Sequence, residues 1–440
     1  MTQHITAVLL SGGESTRFWP FQDKNTLELF GKSNLQWHYE QLIRVGITEC
    51  IVVGNNENID RLSTIPIPSE LNVTFTKQAG QGQGEAIYSI RDTISEGPVL
   101  ILNSSDGYGD LFIESLLDHT RKEKETILLS AVILSSYFPG GYIKTNKQGQ
   151  VEEIVEKPLK GTEPSNMVRI VADYYPHIDM LLSKIASHGK NSSKGYEQAI
   201  NELIHAGHVC KAELTEVHNW CPIKYPWHVL TCMERLFPSK QQQHIHPNVE
   251  IKKNVVIEGA VIIEEGVKIF EGTKIVGPVY IGKNTIIGNN NIIRHSHIGA
   301  FVVTGFSTDI TRSYIGDNCW FHTNYIGDSV IGNNVSMGSG TVCANLRLDD
   351  EEISSMVKGE KIGTGKNKLG AMLGNNVRIG VNTSIMPGIK IGQNSFIGAG
   401  IVVDSDVEDS KFVFFKNGTL TTVDNTKQVA VSRDQFRRAL

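Results

Sequence analysis

Two stretches of the chain carry residue types that could bind phosphate and move a proton. Ser11-Gly12-Gly13 ends an apolar run, and Arg17 and Lys24 follow it. Glycines let the backbone approach a phosphate, successive N–H groups form an anion nest, and an arginine fork suits phosphate oxygens. A tight turn between a strand and a helix is an equally good reading of the glycine pair alone.

The second stretch lies in the carboxyl-terminal half. His322 and Tyr325 stand three residues apart, and Asn345 follows in a glycine-rich block that runs from Gly338 to Arg347. An imidazole titrates near working pH and can serve as a general base. The alternative is that His322 and Tyr325 are ordinary residues that face solvent.

A period of six residues runs through the same half of the chain. The first register is Ile257, Ile263, Ile269, Ile275, Ile281, Ile287 and Ile293, and the second is Leu373, Ile379, Ile385, Ile391, Ile397 and Val403. Neither a helix nor a simple strand has this period. It predicts a hexapeptide β-helix, in which each coil buries one aliphatic residue per side and corners such as Gly282-Lys283-Asn284 tolerate positive φ.

The amino-terminal half alternates strand and helix signals, which predicts a mostly parallel, Rossmann-like sheet with helices on both faces. In such α/β sheets ligands bind beyond the carboxyl ends of the strands. We therefore expect an α/β domain at residues 1–230, a polar linker at 231–248, a left-handed parallel β-helix at 249–403 with an expelled loop at 339–370, and a tail at 404–440. The tail closes with Arg433, Arg437 and Arg438 and is expected to be helical.

Bulk properties exclude several classes of protein. The formal net charge is -5 with scattered basic residues, so no nucleic-acid footprint is present. No apolar run approaches membrane-spanning length and no basic segment precedes the first strand, so we expect a cytoplasmic protein. The six cysteines are widely spaced, which favours reduced thiols over disulfides or a zinc site.

The segment from Leu10 to Lys32 resembles the signature of the sugar-1-phosphate nucleotidylyltransferases, L-x-G-G-x-x-T-R, then P-K-x-L, then G-K. Lys24 falls on the signature lysine, with the spacing of the N-acetylglucosamine-1-phosphate uridylyltransferase branch. Further landmarks follow in order: Gln78 to Ala86, Leu102 to Asp106, Gly141-Tyr142, Val155 to Pro158, Asn166, and Trp220 to Trp227. The resemblance covers nearly all of residues 1–230.

This resemblance implies attack of a sugar-1-phosphate oxygen on the α-phosphorus of a nucleoside triphosphate, with release of pyrophosphate. The implied roles are a phosphate nest at Gly12 and Gly13, phosphate contacts from Arg17 and Lys24, base contacts near Gln78 and Gly82, Mg²⁺ on Asp106, and sugar or ribose contacts from Gly141, Glu156, Lys157 and Asn166. Each of these residues taken singly also has a purely structural reading.

Four positions depart from the family pattern. Ser15 replaces a glycine, Asp23 replaces the proline before the lysine, and Ser105 replaces the glycine before the metal aspartate. Pro222 stands where a second metal carboxylate is expected, and proline offers no side-chain ligand. The domain is then slow, uses another ligand such as Asn219, or binds nucleotide without turnover.

The blocks around His322, Tyr325 and Asn345 resemble the acetyltransferase half of bifunctional amino-sugar-1-phosphate acetyltransferase/uridylyltransferases of the archaeal type. This resemblance implies acetyl transfer from acetyl-CoA to an amino-sugar 1-phosphate, with His322 as general base and with Tyr325 and Asn345 orienting the acceptor. Glu351 replaces a lysine of the family loop, which puts the choice of acceptor in doubt.

Together the two resemblances imply a bifunctional enzyme that forms UDP-N-acetylglucosamine from UTP and N-acetylglucosamine-1-phosphate, with Mg²⁺ as cofactor and acetyl-CoA as co-substrate. Because hexapeptide coils associate side by side, we expect a homotrimer or a dimer of trimers. Two alternatives stay open: a nucleotidyltransferase for another hexose-1-phosphate with UTP or dTTP, and a catalytically impaired nucleotide-binding or scaffold subunit.

Overall fold

The chain forms two compact units that do not follow the order of the sequence. The computed structural model describes residues 4–109, 111–187, 195–238, 242–430, 433–437 and 440, so Arg438 lies outside the described residues. The first unit comprises Met1–Glu14, Asn25–Leu27 and Ser33–Pro222, and the second comprises Ser15–Lys24, Glu28–Lys32 and Ile223–Leu440. Two stretches of the glycine-loop signature therefore belong to the second unit.

Strands and helices are mixed along the chain as far as Pro222, with strict alternation only in part of it. The strands are β1 (Thr6–Leu10), β2 (Glu28–Leu29), β3 (Lys32–Ser33), β4 (Glu49–Gly54), β5 (Asn72–Lys77), β6 (Val99–Asn103), β7 (Asp106–Tyr108), β8 (Ile127–Ile133), β9 (Gly141–Thr145), β10 (Val151–Glu156), β11 (Met167–Tyr175), β12 (Cys210–Leu214) and β13 (Trp220–Pro222). The helices are α1 (Asn34–Arg44), α2 (Ile59–Ser63), α3 (Gln83–Tyr88), α4 (Phe112–Lys122), α5 (Ile178–Ser187) and α6 (Gly195–His205), with 3-10 turns at Thr16–Phe18 and Val217–Asn219.

The main sheet confirms the predicted α/β architecture. Its strand order is β10-β9-β11-β6-β1-β4-β5, with β8 paired to β11 and β12. Strands β5, β4, β1 and β6 run parallel, whereas β11 runs antiparallel to β6 and β8. One apolar core lies on the face covered by α1 and α4, and a second lies under α3, α5 and α6. Burial on both faces explains the continuous apolar runs of β1, β4 and β6.

Local signals explain where helix α1 begins. Ser33 Oγ accepts a hydrogen bond from the Gln36 backbone N–H at 3.3 Å, and Gln36 Oε1 accepts one from the Ser33 backbone N–H at 2.9 Å. This reciprocal capping box satisfies two backbone donors that a helix start otherwise leaves unpaired. The apolar positions of the helix then turn towards the sheet and bury Leu35, Tyr39 and Leu42.

The second unit is dominated by a three-sided parallel β-helix. One side holds β14 (Gln243–Ile245), β17 (Val261–Ile263), β20 (Val279–Ile281), β23 (His297–Ile298), β26 (Tyr314–Ile315), β28 (Val330–Ile331), β33 (Met372–Leu373) and β36 (Lys390–Ile391). The second holds β15 (Glu250–Ile251), β18 (Lys268–Ile269), β21 (Ile286–Ile287), β24 (Val303–Thr304), β29 (Ser336–Met337), β34 (Arg378–Ile379) and β37 (Phe396–Ile397). The third holds β16 (Val256–Glu258), β19 (Lys274–Val276), β22 (Ile292–Arg294), β25 (Asp309–Thr311), β27 (Tyr325–Gly327), β30 (Val342–Cys343), β35 (Ser384–Ile385) and β38 (Val402–Val403).

The period of six residues corresponds to these three sides. Ile257 pairs with Ile275, and Ile275 pairs with Ile293, on successive coils of one sheet. Aliphatic residues of both registers form one continuous interior core. The predicted corners are confirmed as well, because Asn284 and Asn290 have φ values of 55° and 56°. Asparagine tolerates this left-handed conformation better than most residues.

Two features of the solenoid go beyond the repeat. An antiparallel hairpin, β31 (Ile353–Val357) and β32 (Glu360–Lys366), leaves the coil between Asn345 and Leu369, whose backbone groups close its base at 3.0 Å. Past the last periodic residue, β39 (Lys411–Lys416) pairs in parallel with β37 and is followed antiparallel by β40 (Thr419–Asp424). The β-structure therefore continues beyond Val403, where the sequence period ends.

Helices α7 (His228–Arg235) and α8 (Asp434–Arg437) complete the unit.

A buried histidine makes the stability of the second unit sensitive to acid. His297 stacks between the rings of Tyr280 and Tyr314, with centroids 4.8 Å and 4.7 Å away, and its Nε2 accepts the Phe30 backbone N–H at 3.0 Å. Burial lowers the pKa of His297 from 6.5 to about 4. A proton on Nε2 would also remove the acceptor that Phe30 needs.

We therefore expect the free energy of unfolding to be highest above about pH 6.5 and to fall on acidification towards pH 4. In that window the unfolded chain binds a proton at His297 and the folded chain does not, which is worth roughly 1.4 kcal/mol per pH unit. Guanidinium unfolding at several pH values measures the slope. His297→Gln, which keeps an acceptor, should reduce the slope by one proton, and the exposed His246→Gln should not. Equal slopes in all three proteins would contradict the assignment.

Candidate functional sites

The glycine loop lies at the carboxyl edge of the parallel strands in the first unit. Leu10, the last residue of β1, is in register with Val53 of β4 and Asn103 of β6. Gly12 and Gly13 follow β1, and Gln78 follows β5 at the same edge. A Cβ on Gly12 would lie 1.9 Å from Gln78 Oε1, so the close approach of this side chain requires glycine.

Polar side chains fix the ends of β1 and β6. Ser104 Oγ lies 2.7 Å from Ser11 Oγ and donates to Asn25 Oδ1 at 2.7 Å. The amides of Asn25 and Asn58 donate to the Ser11 carbonyl at 3.2 Å and 2.8 Å. The loop is thus held by buried hydrogen bonds, which leaves its shape little freedom.

Asp106 begins the short strand β7 and is nearly buried, with 6% of its surface exposed. Its Oδ1 accepts a hydrogen bond from Asn103 Nδ2 at 3.0 Å, and its Oδ2 accepts one from Trp220 Nε1 at 2.8 Å. Strand β13 runs antiparallel to β7 and places Pro222 directly across from Asp106. The second metal carboxylate that the family resemblance leads us to expect would therefore stand directly opposite Asp106, and Pro222 occupies that position.

The donors around Asp106 fit Mg²⁺ held in part by substrate. Among the residues that the structure describes, no group of three His, Cys, Asp or Glu side chains could hold a metal ion. Mg²⁺ is commonly bound by one or two carboxylates, with phosphate oxygens and water as the other ligands. Asp106 supplies one carboxylate, and the hydrogen bonds from Asn103 and Trp220 orient it as outer partners do in metal sites.

The predicted sugar-side residues lie beyond the carboxyl end of β6. Gly141 and Glu156 are direct partners on β9 and β10, and Glu156 Oε2 lies 3.1 Å from where a Gly141 Cβ would stand. Lys157 forms an ion pair with Glu156 at 2.9 Å. Asn166 is exposed, and within the described ranges no hydrogen bond joins its side chain to Gly141 or Glu156. Gly82, with φ 93°, immediately precedes α3.

Arg17 and Lys24 belong to the second unit, in the stretch Ser15–Lys24. Arg17 is exposed, and its guanidinium lies 5.9 Å from the centroid of the Tyr225 ring. Lys24 is half-buried. Each sits within a signature that sequence comparison treats as part of the first domain.

On the β-helix, Tyr325 and Asn345 converge over Gly327. A Cβ on Gly327 would lie 2.7 Å from Tyr325 Oη and 2.6 Å from Asn345 Nδ2. The Asn345 amide donates to Asp328 Oδ2 at 2.5 Å. With its nitrogen held by Asp328, the amide can offer its carbonyl oxygen to an amine or a hydroxyl group.

Asp328 and Arg312 also belong to this candidate site, although no sequence motif indicates them. Arg312 donates to both Asp328 oxygens, at 2.7 Å and 2.8 Å, so the carboxylate that holds Asn345 is itself held by a bidentate pair. Their proximity follows from the stacking of the coils. Thr311 and Gly327 are coil partners, so opposite charges follow at equivalent corners of successive coils.

A cavity of about 220 Å³ adjoins this network. Lys366 and Lys368, at the end of the hairpin, line it together with Arg312, Asp328 and apolar residues of α7. Glu234 is a second carboxylate in the lining. Three cations against two carboxylates suit an anionic ligand with an apolar side.

His322 stands apart from this network in its contacts. It lies on the corner before β27 and is exposed. Its backbone N–H donates to Asn324 Oδ1 at 2.7 Å, whereas its imidazole makes no hydrogen bond among the described residues. The structure therefore joins Tyr325 and Asn345 directly and leaves the His322 ring available to a ligand.

Known proteins match nearly the whole chain. A family model described as nucleotidyl transferase matches residues 6–221, and one described as the hexapeptide repeat of succinyl-transferase matches residues 371–405. A bifunctional protein GlmU of Methanococcus maripaludis is 32% identical, over 95% of this chain and 99% of its own. A bifunctional sugar-1-phosphate nucleotidylyltransferase/acetyltransferase of Sulfurisphaera tokodaii is 31% identical, over 93% and 99%. Within the described residues, every helix is too short or too polar to cross a membrane.

Proposed function

We propose that this chain N-acetylates an amino-sugar 1-phosphate and then transfers a nucleotidyl group to the acetylated product. The premise is that the chain belongs to the family of bifunctional GlmU proteins, which join a sugar-1-phosphate nucleotidylyltransferase to an acetyltransferase. We take UTP and N-acetylglucosamine-1-phosphate as the nucleotidyl-transfer substrates. The observation that carries the proposal is that one chain holds both an oriented carboxylate, Asp106, and the Tyr325–Asn345 pair.

For nucleotidyl transfer, an oxygen of the sugar 1-phosphate attacks the α-phosphorus while the bond to the β-phosphate oxygen breaks and pyrophosphate leaves. The step depends mainly on alignment and on charge neutralisation. Arg17 holds the β- and γ-phosphates, and Lys24 holds the α-phosphate and the sugar phosphate. The backbone N–H groups of Gly12 and Gly13 donate hydrogen bonds to phosphate oxygens. Mg²⁺, when bound by Asp106 and phosphate oxygens, supplies further neutralising charge.

At the same carboxyl edge of the parallel strands in the first unit, backbone and side-chain groups near Gln78 and Gly82 contact the nucleotide base. Gly141, Glu156, Lys157 and Asn166 contact sugar or ribose hydroxyls. The lack of a Cβ at Gly141 leaves the Glu156 carboxylate open on that side, where it can accept hydrogen bonds from hydroxyl groups.

For acetyl transfer, the amine nitrogen of the acceptor attacks the thioester carbonyl of acetyl-CoA and the carbon–sulfur bond breaks. His322 takes the amine proton, and the departing CoA sulfur is protonated. Tyr325 and Asn345 orient the acceptor, because the Asp328–Arg312 pair fixes the Asn345 amide. Lys366 and Lys368 offer phosphate contacts in place of the family lysine that is Glu351 here. Assembly as a homotrimer, or a dimer of trimers, fits the solenoid.

Two assays on one preparation test the proposal. Pyrophosphate release is measured with Mg²⁺, UTP and N-acetylglucosamine-1-phosphate, and free CoA thiol is measured with acetyl-CoA and glucosamine- or galactosamine-1-phosphate. Both products are expected. Release with dTTP and glucose-1-phosphate, without thiol production, would instead identify a single-function nucleotidyltransferase. Tight UTP binding without pyrophosphate from any sugar phosphate would mark a nucleotide-binding subunit, in which Pro222 has removed a metal ligand that the reaction needs.

A further inference from the structure

The stretch Ser15–Lys24 is held by hydrogen bonds to the last coils of the β-helix. Trp19 Nε1 donates to Asp409 Oδ1 at 2.9 Å, and Gln22 Nε2 donates to Gln393 Oε1 at 3.0 Å. Asp409 is fixed in turn, because the Gln393 backbone N–H donates to the same Oδ1 at 3.0 Å. The indole therefore docks on a carboxylate that the solenoid already orients.

A buried cation supports the Trp19 ring from a second direction. Lys390 Nζ lies 5.4 Å from the ring centroid, within cation–π range. The ammonium forms an ion pair with Asp406 at 2.6 Å and donates to Ser355 Oγ at 3.0 Å. Because only 3% of the Lys390 side chain is exposed, these contacts hold it in one place.

The backbone of the stretch also approaches the coil closely. A Cβ on Gly374 would lie 2.9 Å from the Pro20 carbonyl oxygen. Only a glycine at this coil position leaves room for that carbonyl.

The neighbouring stretch Glu28–Lys32 is anchored to the β-helix as well. Phe30 donates its backbone N–H to His297, and Tyr314 Oη donates to the Glu28 carbonyl at 2.9 Å. The Phe30 ring meets Tyr280 edge to face, with centroids 6.0 Å apart. The solenoid thus holds both stretches of the signature that fall in the second unit.

We propose that the β-helix is a positioning scaffold for nucleotidyl transfer, in which Asp409 acts through Trp19 to place the stretch that carries Arg17 and Lys24. Asp409 is then a positioning residue of a reaction whose chemistry lies far from it in the sequence. The inference rests on the proposed roles of Arg17 and Lys24. Its physical basis is that phosphoryl transfer depends steeply on placement of the charges that hold the phosphates.

The test compares Asp409→Ala with Asp409→Asn, which keeps an oxygen acceptor for Trp19, and with Glu408→Ala at an exposed carboxylate of the same turn. For each protein we would measure kcat and KM of pyrophosphate release, UTP binding by calorimetry, acetyl transfer and thermal unfolding. Asp409→Ala should lower kcat/KM by about tenfold or more, the equivalent of one charge-assisted hydrogen bond. Acetyl transfer should be unchanged, and Asp409→Asn and Glu408→Ala should resemble the wild type.

Other outcomes separate the scaffold from the function it rests on. If the wild type binds UTP but releases no pyrophosphate, the proposed transfer reaction is wrong. In that case weaker UTP binding by Asp409→Ala would still support the scaffold role of the β-helix. Wild-type behaviour of Asp409→Ala in every assay overturns it. So does an equal loss of both reactions with a lower melting temperature, which indicates a structural role alone. A wild type that neither binds UTP nor releases pyrophosphate overturns both proposals.

Discussion

Asp106→Asn should lower pyrophosphate release by about 10²–10³-fold, the loss typical of removing one preorganised charge from a transition-state site. Asp106 carries the single carboxylate at its ladder position, because its cross-strand partner is Pro222. The amide keeps an oxygen that can accept a hydrogen bond from Asn103 or Trp220, so the fold should persist. Pyrophosphate release with saturating UTP and sugar phosphate measures the effect.

The control for Asp106 is Asp118→Asn, on the exposed face of α4. Asp118 pairs with Arg121 at 2.7 Å on the surface, where such a pair contributes little to stability. This variant should retain full activity. Asp106→Asn with undiminished pyrophosphate release would show that the metal and the phosphates are held elsewhere.

Pro222→Asp extends the same argument in the opposite direction. The substitution places a second carboxylate across the ladder from Asp106, which should tighten apparent Mg²⁺ binding and raise the rate at low Mg²⁺. Without metal the two like charges repel, so stability should fall on removal of Mg²⁺. An inactive wild type that Pro222→Asp makes active would mean that the natural chain binds nucleotide and has lost the transfer reaction.

The second large effect is expected at His322. His322→Ala should lower acetyl transfer by about 10²–10⁴-fold, the range for loss of a general base, while pyrophosphate release from an already acetylated sugar phosphate is unchanged. The exposed imidazole makes no hydrogen bond among the described residues, so its removal should cost little stability. Thiol release from acetyl-CoA and thermal unfolding measure the two quantities separately.

His246→Ala, at an exposed histidine on an early part of the solenoid, is the matched control and should leave both reactions intact. Added imidazole should partly restore acetyl transfer to His322→Ala by supplying a diffusible base. Retained acetyl transfer in His322→Ala would assign the base to another group. Loss of both reactions together would indicate a folding defect.

Much of the fold follows from short-range patterns in the sequence. Isoleucines at an interval of six have to share an interior, because each side of a three-sided coil brings the sixth residue along to the equivalent inward-facing position. The strands around Leu10, Val53 and Leu102 were predictable because their apolar runs are buried on both faces of a parallel sheet. The sequence of helix α4 indicates a helix in the same way, since its apolar positions keep a helical spacing.

The interior period could not predict what lies outside it. Strand β39 continues the β-structure after the six-residue period has ended, through pairing with β37. Likewise the hydrogen bonds that link Asn345 through Asp328 to Arg312 depend on which corners of successive coils lie on top of one another. No local sequence pattern encodes that register. The roles assigned to the individual site residues stay predictions that the variants above test.

The sequence by itself determined the α/β region, the β-helix and the order of the signature motifs, because periodicity and turn chemistry act between residues a few positions apart. Only the tertiary structure decided that Pro222 faces Asp106 and that Trp19 docks on Asp409. These contacts join residues distant in the chain, and their geometry is set by strand register and coil stacking that the local sequence does not specify.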